Sequence, residues 1–352
     1  MNEPIMVVTG ATGFIGRWLL AELTAGRRSV VALVRNATRR ADELVDFVDR
    51  HGGDGARLTV LDADLHREDL GIERPLGEVG VVFHLAAQME FGLTVEGARR
   101  NNVQTTVNVA RWASRQRSLR RVVLLGGYRM TRPEPALRAF ERATSEREIL
   151  ELYRGRGAYE VSKHEAYHAF RRLAEELSLP WSAVHPSSVI GDSRTGETLQ
   201  RTGLADTARS LYEGRMPAMV GGERAFVPVV AVDHVARVLA TVDRREETLG
   251  QDLVVLASDT PLLRELIARL AARMGRRPPR WSLPVGLVRA MPRWMSGVDR
   301  EALDFIADDR YDTESADEHA RAMGIVAPDT LATIDRWCDY LVKSQFLQRK
   351  SA

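Results

Sequence analysis

Tyr159 and Lys163 stand four residues apart in the run Tyr159-Glu160-Val161-Ser162-Lys163. On a helix that spacing puts both side chains on one face, aimed at one spot. A neutral phenol with a pKa of about 10 is a poor acid–base group at neutral pH, and a neighbouring ammonium stabilises the phenolate and lowers that value. Composition singles out the lysine: Lys and Arg together number 50, yet only Lys163, Lys343 and Lys350 are lysines. Two of these belong to a C-terminal tail. The third sits where a compact ammonium serves better than a broad guanidinium fork. A buried tyrosine beside a surface lysine has the same spacing, so the pair needs a second signal.

That signal opens the chain. The apolar run Ile5-Met6-Val7-Val8 breaks into Thr9-Gly10-Ala11-Thr12-Gly13-Phe14-Ile15-Gly16. A strand that turns through glycines spaced three apart into a helix is built to hold a pyrophosphate. Gly10 allows the tight turn, Gly13 the approach of the backbone to the phosphates, and Gly16 the close packing of helix on sheet. Glycine loop and Tyr-Lys pair together point to a nicotinamide cofactor. The second strand then bears on cofactor choice. NAD sites end this strand with a carboxylate for the ribose hydroxyls, whereas here Arg35 ends it, with Arg39 and Arg40 a turn later. NADP(H) is the expected cofactor; solvated arginines at a helix start are the plainer reading.

These residues need a frame. Short apolar runs alternate with helical patterns through the first half, which predicts a parallel sheet wound on both faces. The predicted strands are 5–9, 29–34, 57–61, 79–85, 121–125 and 181–185, and the predicted helices are 14–25, 38–50, 94–116 and 159–178. The polar segment 129–158 is long for a connection and reads as a lid or a surface elaboration. From about residue 190 the pattern is irregular, with apolar runs at 226–232 and 253–256 and helices at 261–274 and 329–346. Trp281-Ser282-Leu283-Pro284-Val285 and Met291-Pro292-Arg293-Trp294-Met295 read as core of this part or as an apolar pocket wall.

Composition narrows the classes. The chain of 352 residues carries a formal net charge of +2 with no long basic block, which argues against nucleic acid as a partner. Its lone cysteine, Cys338, permits no disulfide frame or cysteine metal site. No apolar stretch approaches the roughly 18 residues of a membrane span. With a first strand that begins at once, a cytoplasmic protein acting on a small molecule is expected.

The chain resembles the extended short-chain dehydrogenase/reductases over nearly its full length. The matching pieces are Thr9–Gly16, Asp64-Leu65, the run from Val82 to Ala87, Asn102-Val103, Tyr159–Lys163, the run from His185 to Asp192, and the run from Val227 to Ala236. Their order and spacing are closest in flavour to fatty-acyl and thioester reductases. The resemblance implies a Rossmann-type doubly wound α/β fold, with an NADP(H)-binding part over 1–190 and a smaller, interleaved substrate-binding part over 191–352. It implies that Tyr159 exchanges a proton with the substrate oxygen while Lys163 also holds the nicotinamide ribose. It places cofactor contacts on Gly10, Thr12, Gly13, Phe14, Ile15 and Gly16, on Arg35, and on Asp64 and Leu65. Further contacts fall on Leu85, Ala86, Ala87 and Gln88, on Tyr159 and Lys163, and on Pro186, Ser188 and Val189. A homodimer through 94–116 and 159–178 is also implied.

One position departs from the family. The serine or threonine expected after the fifth strand falls on Gly126 in Leu124-Leu125-Gly126-Gly127-Tyr128-Arg129. Loss of one such donor costs about 10²–10³ in rate. Tyr128, Thr131 or a water could replace it, or the two glycines could make room for a substrate group, which puts Gly126, Gly127 and Tyr128 among the expected substrate contacts. The space reading is favoured, because the glycines are adjacent. His164-Glu165-Ala166-Tyr167-His168 spells a zinc-protease motif, but it competes for the tyrosine helix and lacks a third ligand. No metal is expected, and an outward inter-subunit face is the preferred reading of that motif. His84, ending a buried strand, reads as a packed core histidine. The activity expected is interconversion of a carbonyl or acyl thioester with an alcohol on an apolar compound. An epimerase or dehydratase with a retained nucleotide, or a non-redox protein that keeps the fold, stays open.

Overall fold

A computed structural model describes residues 4–90, 92–132, 137–143, 145–291 and 300–347. Valine-rich runs with no polar alternation form the strands, as expected for a sheet covered on both faces. They are β1 (Ile5–Thr9), β2 (Val30–Val34), β3 (Leu58–Asp62), β4 (Val79–His84), β5 (Arg121–Leu125) and β6 (Trp181–Pro186). Two further short strands, β7 (Ser188–Ile190) and β8 (Ala218–Val220), precede β9 (Val229–Ala231) and β10 (Asp252–Val255). One seven-stranded sheet runs in the order β10-β6-β5-β4-β1-β2-β3. Its pairings from β3 through β6 are parallel. The order reverses beside β1, and in such sheets ligands bind at that switch point, beyond the carboxyl ends of the strands. The apolar run at 253–256, expected in the smaller part, supplies the edge strand β10.

Two compact units divide the chain. The first comprises residues 1–185, 236–254 and 314–325, and the second comprises the rest. In the first, α1 (Phe14–Ala25), α2 (Ala37–Arg50), α4 (Thr105–Ser114) and α6 (Ala158–Glu176) flank the sheet. The predicted helix 94–116 is broken: α3 (Val95–Ala98) runs into a π-helical turn, Arg99–Gln104, before α4 begins. The segment 129–158 contributes α5 (Glu146–Tyr153), whose N-terminus is closed by a capping box between Ser145 and Glu148. Leu137, Phe140 and Tyr153 form a core with Ala98, Ala158 and Val161. The described part of this segment is therefore packed on α6 through these residues, while Glu146, Arg147, Glu148 and Arg154–Arg156 stay exposed.

In the second unit β7 pairs with β9, and β8 with β11 (Trp281–Leu283), both in parallel. Helix α7 (Leu204–Tyr212), helix α9 (Leu263–Arg273) and the helix Thr330–Lys343 bury Leu211, Leu266, Leu270 and Trp337 together. Trp281 is 76% exposed, so of the two readings of its motif the core one does not hold for this residue. Residues 292–295 of the second tryptophan motif lie outside the described residues. Among the described residues no helix is long and apolar enough to cross a membrane.

Candidate functional site

The glycine loop follows β1. Gly10 has a φ of +73°, and a Cβ there would lie 2.6 Å from Ala86 N and from Leu85 C, so no side chain is admitted. A Cβ on Gly16 would run into the carbonyl oxygen of Gly10. Gly13 N donates to Gly10 O at 3.0 Å and closes the turn. No side chain caps the N-terminus of α1, so its first amides are left to a ligand. Thr12, Gly13, Phe14 and Ile15 keep some exposure there. A cradle that a single Cβ would fill, set on uncapped helix amides, fits a dinucleotide pyrophosphate.

The end of β4 forms the other wall. His84 is buried and bridges two hydroxyls, Thr9 Oγ1 at 2.8 Å and Thr106 Oγ1 at 3.0 Å. Since Thr106 Oγ1 donates to Asn102 O, it accepts from His84 Nε2–H, and Thr9 donates to Nδ1. Burial pushes the His84 pKa down to about 3, and the Lys163 charge adds to this, so the ring is neutral. It is the core histidine expected from the sequence. Past it, Leu85, Ala86, Ala87 and Gln88 emerge partly exposed. The π-helical turn holds this exit: Asn102 Oδ1 accepts Gln88 N at 2.7 Å, and Asn102 Nδ2 donates to Ser162 Oγ at 2.9 Å. Asp64 meets His66 Nδ1, whose other nitrogen contacts Asn101, and Asn101 bonds Gln88. Asp64 and Gln88 are thereby tied through side chains.

Tyr159 and Lys163 lie one turn apart on α6. Lys163 Nζ donates to Leu125 O at 3.3 Å. The side chain keeps partial access to the cleft, while the protein atoms around the ammonium push its pKa down to about 8 by desolvation. A cavity of about 10 Å³, room for one water, is lined by His84, Ala86, Asn102, Gly126, Lys163 and Tyr167, among others. Ala86 is thus shared: Gly10 packs on it, and it faces Lys163 across the cavity.

Gly126 departs from expectation. Its N donates to Val184 O on β6 at 2.8 Å, which sets it beside His185. A Cβ on residue 126 would lie 2.5 Å from His185 Cε1, closer still to Nδ1, and 3.1 Å from Met130 Sδ. The space freed by this glycine is filled by an imidazole, so the favoured reading of room for substrate at Gly126 is corrected. Room exists at Gly127, where a Cβ would meet nothing within 4 Å. Tyr128 is buried, and Thr131 Oγ1 donates to Tyr128 O within their own turn.

Sequence reasoning missed the group behind Gly126. His185 Nε2 bonds Asp252 Oδ1 at 2.9 Å, Tyr167 OH bonds the same carboxylate at 2.7 and 2.8 Å, and Arg171 donates to Tyr167 OH. Burial pulls the Asp252 pKa up, but His185, Tyr167 and Arg171 outweigh it and hold the carboxyl below its usual range. A signal was available: Tyr159, Lys163, Tyr167 and Arg171 recur every four residues along one face of α6.

Other expectations fall differently. Arg35 and Arg39 are exposed, and their side chains have no ion-pair partner among the described residues. Asp62, at the end of β3, is turned to α2, where it accepts Ala37 N at 3.0 Å. Pro186, Ser188 and Val189 belong to the second unit. The zinc motif is no outward face. His164 and Glu165 are buried, and Glu165 is held by Arg99 at 2.8 Å and by Tyr153 OH at 2.6 Å. Among the described residues no group of His, Cys, Asp and Glu could hold a metal ion.

Comparison with known proteins extends this picture. The family model NAD_binding_4, described as male sterility protein, matches residues 8–239. Tetraketide alpha-pyrone reductase 1 of Arabidopsis thaliana is 26% identical over 273 residues, 76% of this chain and 80% of that protein. An anthocyanidin reductase of Vitis vinifera is 25% identical over 294 residues, 79% of this chain and 82% of that one. Among solved structures, the terminal R domain of the myxalamid PKS-NRPS pathway superposes with a TM-score of 0.74 at 20% identity, covering 99% of this chain and 93% of that one. Gre2 of Candida albicans, crystallised with NADPH, gives a TM-score of 0.68 at 17% identity, with 97% and 99% covered.

Proposed function

As the chain belongs to the male sterility protein family, an NAD(P)-binding family of extended short-chain reductases, we propose that it is an NADP(H)-dependent reductase of a carbonyl or acyl thioester on an apolar small molecule. The observation that carries this reading is the sharing of Ala86 by the Gly10 cradle and the Lys163 cavity, which joins a phosphate-binding turn to an acid–base helix. Bound NADPH would supply the hydride. The residues that would hold it are the loop from Gly10 to Gly16, Arg35, Asp64, Leu65, Leu85–Gln88, Lys163, Pro186, Ser188 and Val189. Gly10 and Gly16 keep the cradle free of side chains, and the amides opening α1 meet the phosphates. Tyr159 gives its phenolic proton to the substrate oxygen. Lys163, anchored on Leu125 O, favours the phenolate left behind and bonds the ribose. Unpaired Arg35 and Arg39 supply positive charge for a 2′-phosphate, with no strand-end carboxylate on β2 to repel it.

Pairing of two copies through 94–116 and 159–178 is supported by the family resemblance alone. Burial of His164 and Glu165 within the chain argues against that face, and sedimentation velocity measures the outcome. The cofactor reading is tested by titrating the chain with NADPH and NADH. NADPH is expected to bind at least ten times more tightly, and Arg35→Asp to erase most of that margin. Equal affinities would sink it. Net NADPH oxidation with octanal or octanoyl-N-acetylcysteamine tests the reaction, and no consumption with either would refute the reductase proposal for apolar carbonyls.

A further inference from the structure

A row of side chains crosses the cofactor wall from Asp64 to Glu90, and both of its ends have a fixed direction. Asp64 Oδ1 accepts the backbone N–H of His66 at 3.0 Å and lies 3.0 Å from His66 Nδ1. The backbone bond above all holds this carboxyl below its usual range, so Asp64 is ionised and can only accept. At the far end Gln88 Nε2 donates to Glu90 Oε2 at 2.9 Å. That contact orients the Gln88 amide and leaves its Oε1 for Asn101, whose Nδ2 donates to it. Asn101 Oδ1 is then what faces His66 Nε2, at 3.0 Å. His66 thus has an acceptor at each ring nitrogen, and it satisfies both only as the imidazolium.

The neutral ring cannot keep the row. The proton facing ionised Asp64 is the better held, so the ring gives up Nε2–H. Its side chain is 28% exposed, and the proton passes directly to water. A lone pair then faces the Asn101 carbonyl oxygen. Turning both amides over only moves the conflict to Gln88 Oε1 against Glu90, so one link is lost either way. The charges that bear on the ring are Asp64, the Arg67–Asp69 pair of the same loop, and Glu90 beyond Gln88 at the exit from β4. The π-helical turn meets it with Asn101, which is neutral. We propose that His66, as the imidazolium, is the positioning residue that holds Gln88 on the cofactor wall and makes NADP(H) affinity depend on a proton. This inference rests on the cofactor reading and deepens it, since Asp64 and Gln88 stand among the residues that would hold NADP(H). The sign follows: affinity falls as pH rises through the range in which imidazoles discharge, about 5 to 8.

Fluorescence titration with NADPH at about pH 6 to 8 compares the wild-type chain with three variants. The ratio of wild-type to His66→Leu affinity is expected to fall about fivefold across that range, the low end of coupling between sites. His66→Leu should bind weakly throughout, because neither ring bond forms. His66→Arg keeps donors for Asp64 and Asn101 on a charge that does not titrate, so it should bind tightly and show no such fall. Glu90→Gln lets the amides turn over, and it should match the wild type at low pH yet lose less at high pH. A constant wild-type to His66→Leu ratio, or a fall kept in His66→Arg, would overturn the proposal. The ring is also read without any variant, from the ¹⁵N resonances of His66 in the wild-type chain loaded with NADP⁺. Nε2 should lose its proton in step with the affinity while Nδ1 keeps its own. Loss from Nδ1 instead, or a ring that titrates out of step with the affinity, refutes the inference and leaves the reductase reading intact. Failure of the wild-type chain to bind NADPH at any pH removes both.

Discussion

Lys163 is a functional cation whose surroundings work against its charge. Desolvation holds its pKa near 8, below the ordinary lysine value of 10.5, so the fold bears the cost of burying a cation below pH 8. Between about pH 8 and 10.5 the unfolded chain binds more protons than the folded one, and stability rises with pH through that window. Cofactor affinity must move the opposite way, because the ribose partner loses its charge as stability is gained. Wild-type protein is expected to bind NADPH progressively more weakly above pH 8 while its melting temperature gains from this group. Lys163→Met should bind weakly at every pH and lack both trends. Tyr159→Phe should keep the affinity and its pH dependence yet lose about 10²–10⁴ in turnover. Fluorescence titration and calorimetry at matched pH check the set, and a Lys163→Met profile that still breaks near pH 8 would assign the break to another group.

At the scale of elements, the site depends on a break that no periodicity announced. Residues 94–116 read as one helix because Val95, Ala98, Val109 and Trp112 keep helical spacing. The π-helical turn at Arg99–Gln104 exists to deliver Asn102 to Gln88 N and Ser162 Oγ, partners 14 and 60 residues away. A local pattern carries no trace of such contacts. The strand–glycine–helix opening was legible for the opposite reason. Gly10 and Gly16 are demanded by backbone atoms of their own turn and its neighbour, and only glycine meets that demand. His185 was legible only as part of a family run, since its partner is Asp252 on β10, a strand that sequence placed elsewhere. Asn102→Leu tests the element: it leaves Gln88 N unpaired and takes away the amide from which Ser162 Oγ accepts, though that hydroxyl still donates to Tyr159 O, and it should cost about 1–3 kcal/mol of stability, with weaker NADPH binding as the 85–88 exit loosens. Ser162→Ala, which removes only one of the Asn102 bonds, should cost less. A denaturation midpoint for Asn102→Leu at the wild-type value would show that the turn stands without its tether.

For the molecule as a whole, buried histidines set the acid limit. His84 and His164 are pushed down to about 3 and His319 to about 4, in each case chiefly by burial. The unfolded chain protonates these rings near pH 6.5, and the native fold does not. The sign follows directly: as pH falls from about 6.5 toward 4, the unfolded state gains up to three protons that the folded state refuses, so stability is lost as acid is added. Each ring contributes a slope of up to about 1.4 kcal/mol per pH unit, or about 4 kcal/mol per unit together. Against a typical total stability of about 5–15 kcal/mol, that slope unfolds the chain within about one to four pH units. The chain is expected to unfold cooperatively between about pH 5 and 3. His319→Gln, which keeps a partner for Thr241 Oγ1 without a titrating ring, should flatten the slope by about a third. Denaturant titrations at half-unit pH steps measure it, and a stability that stays level from pH 6.5 to 4.5 would mean that water reaches these rings in the native state.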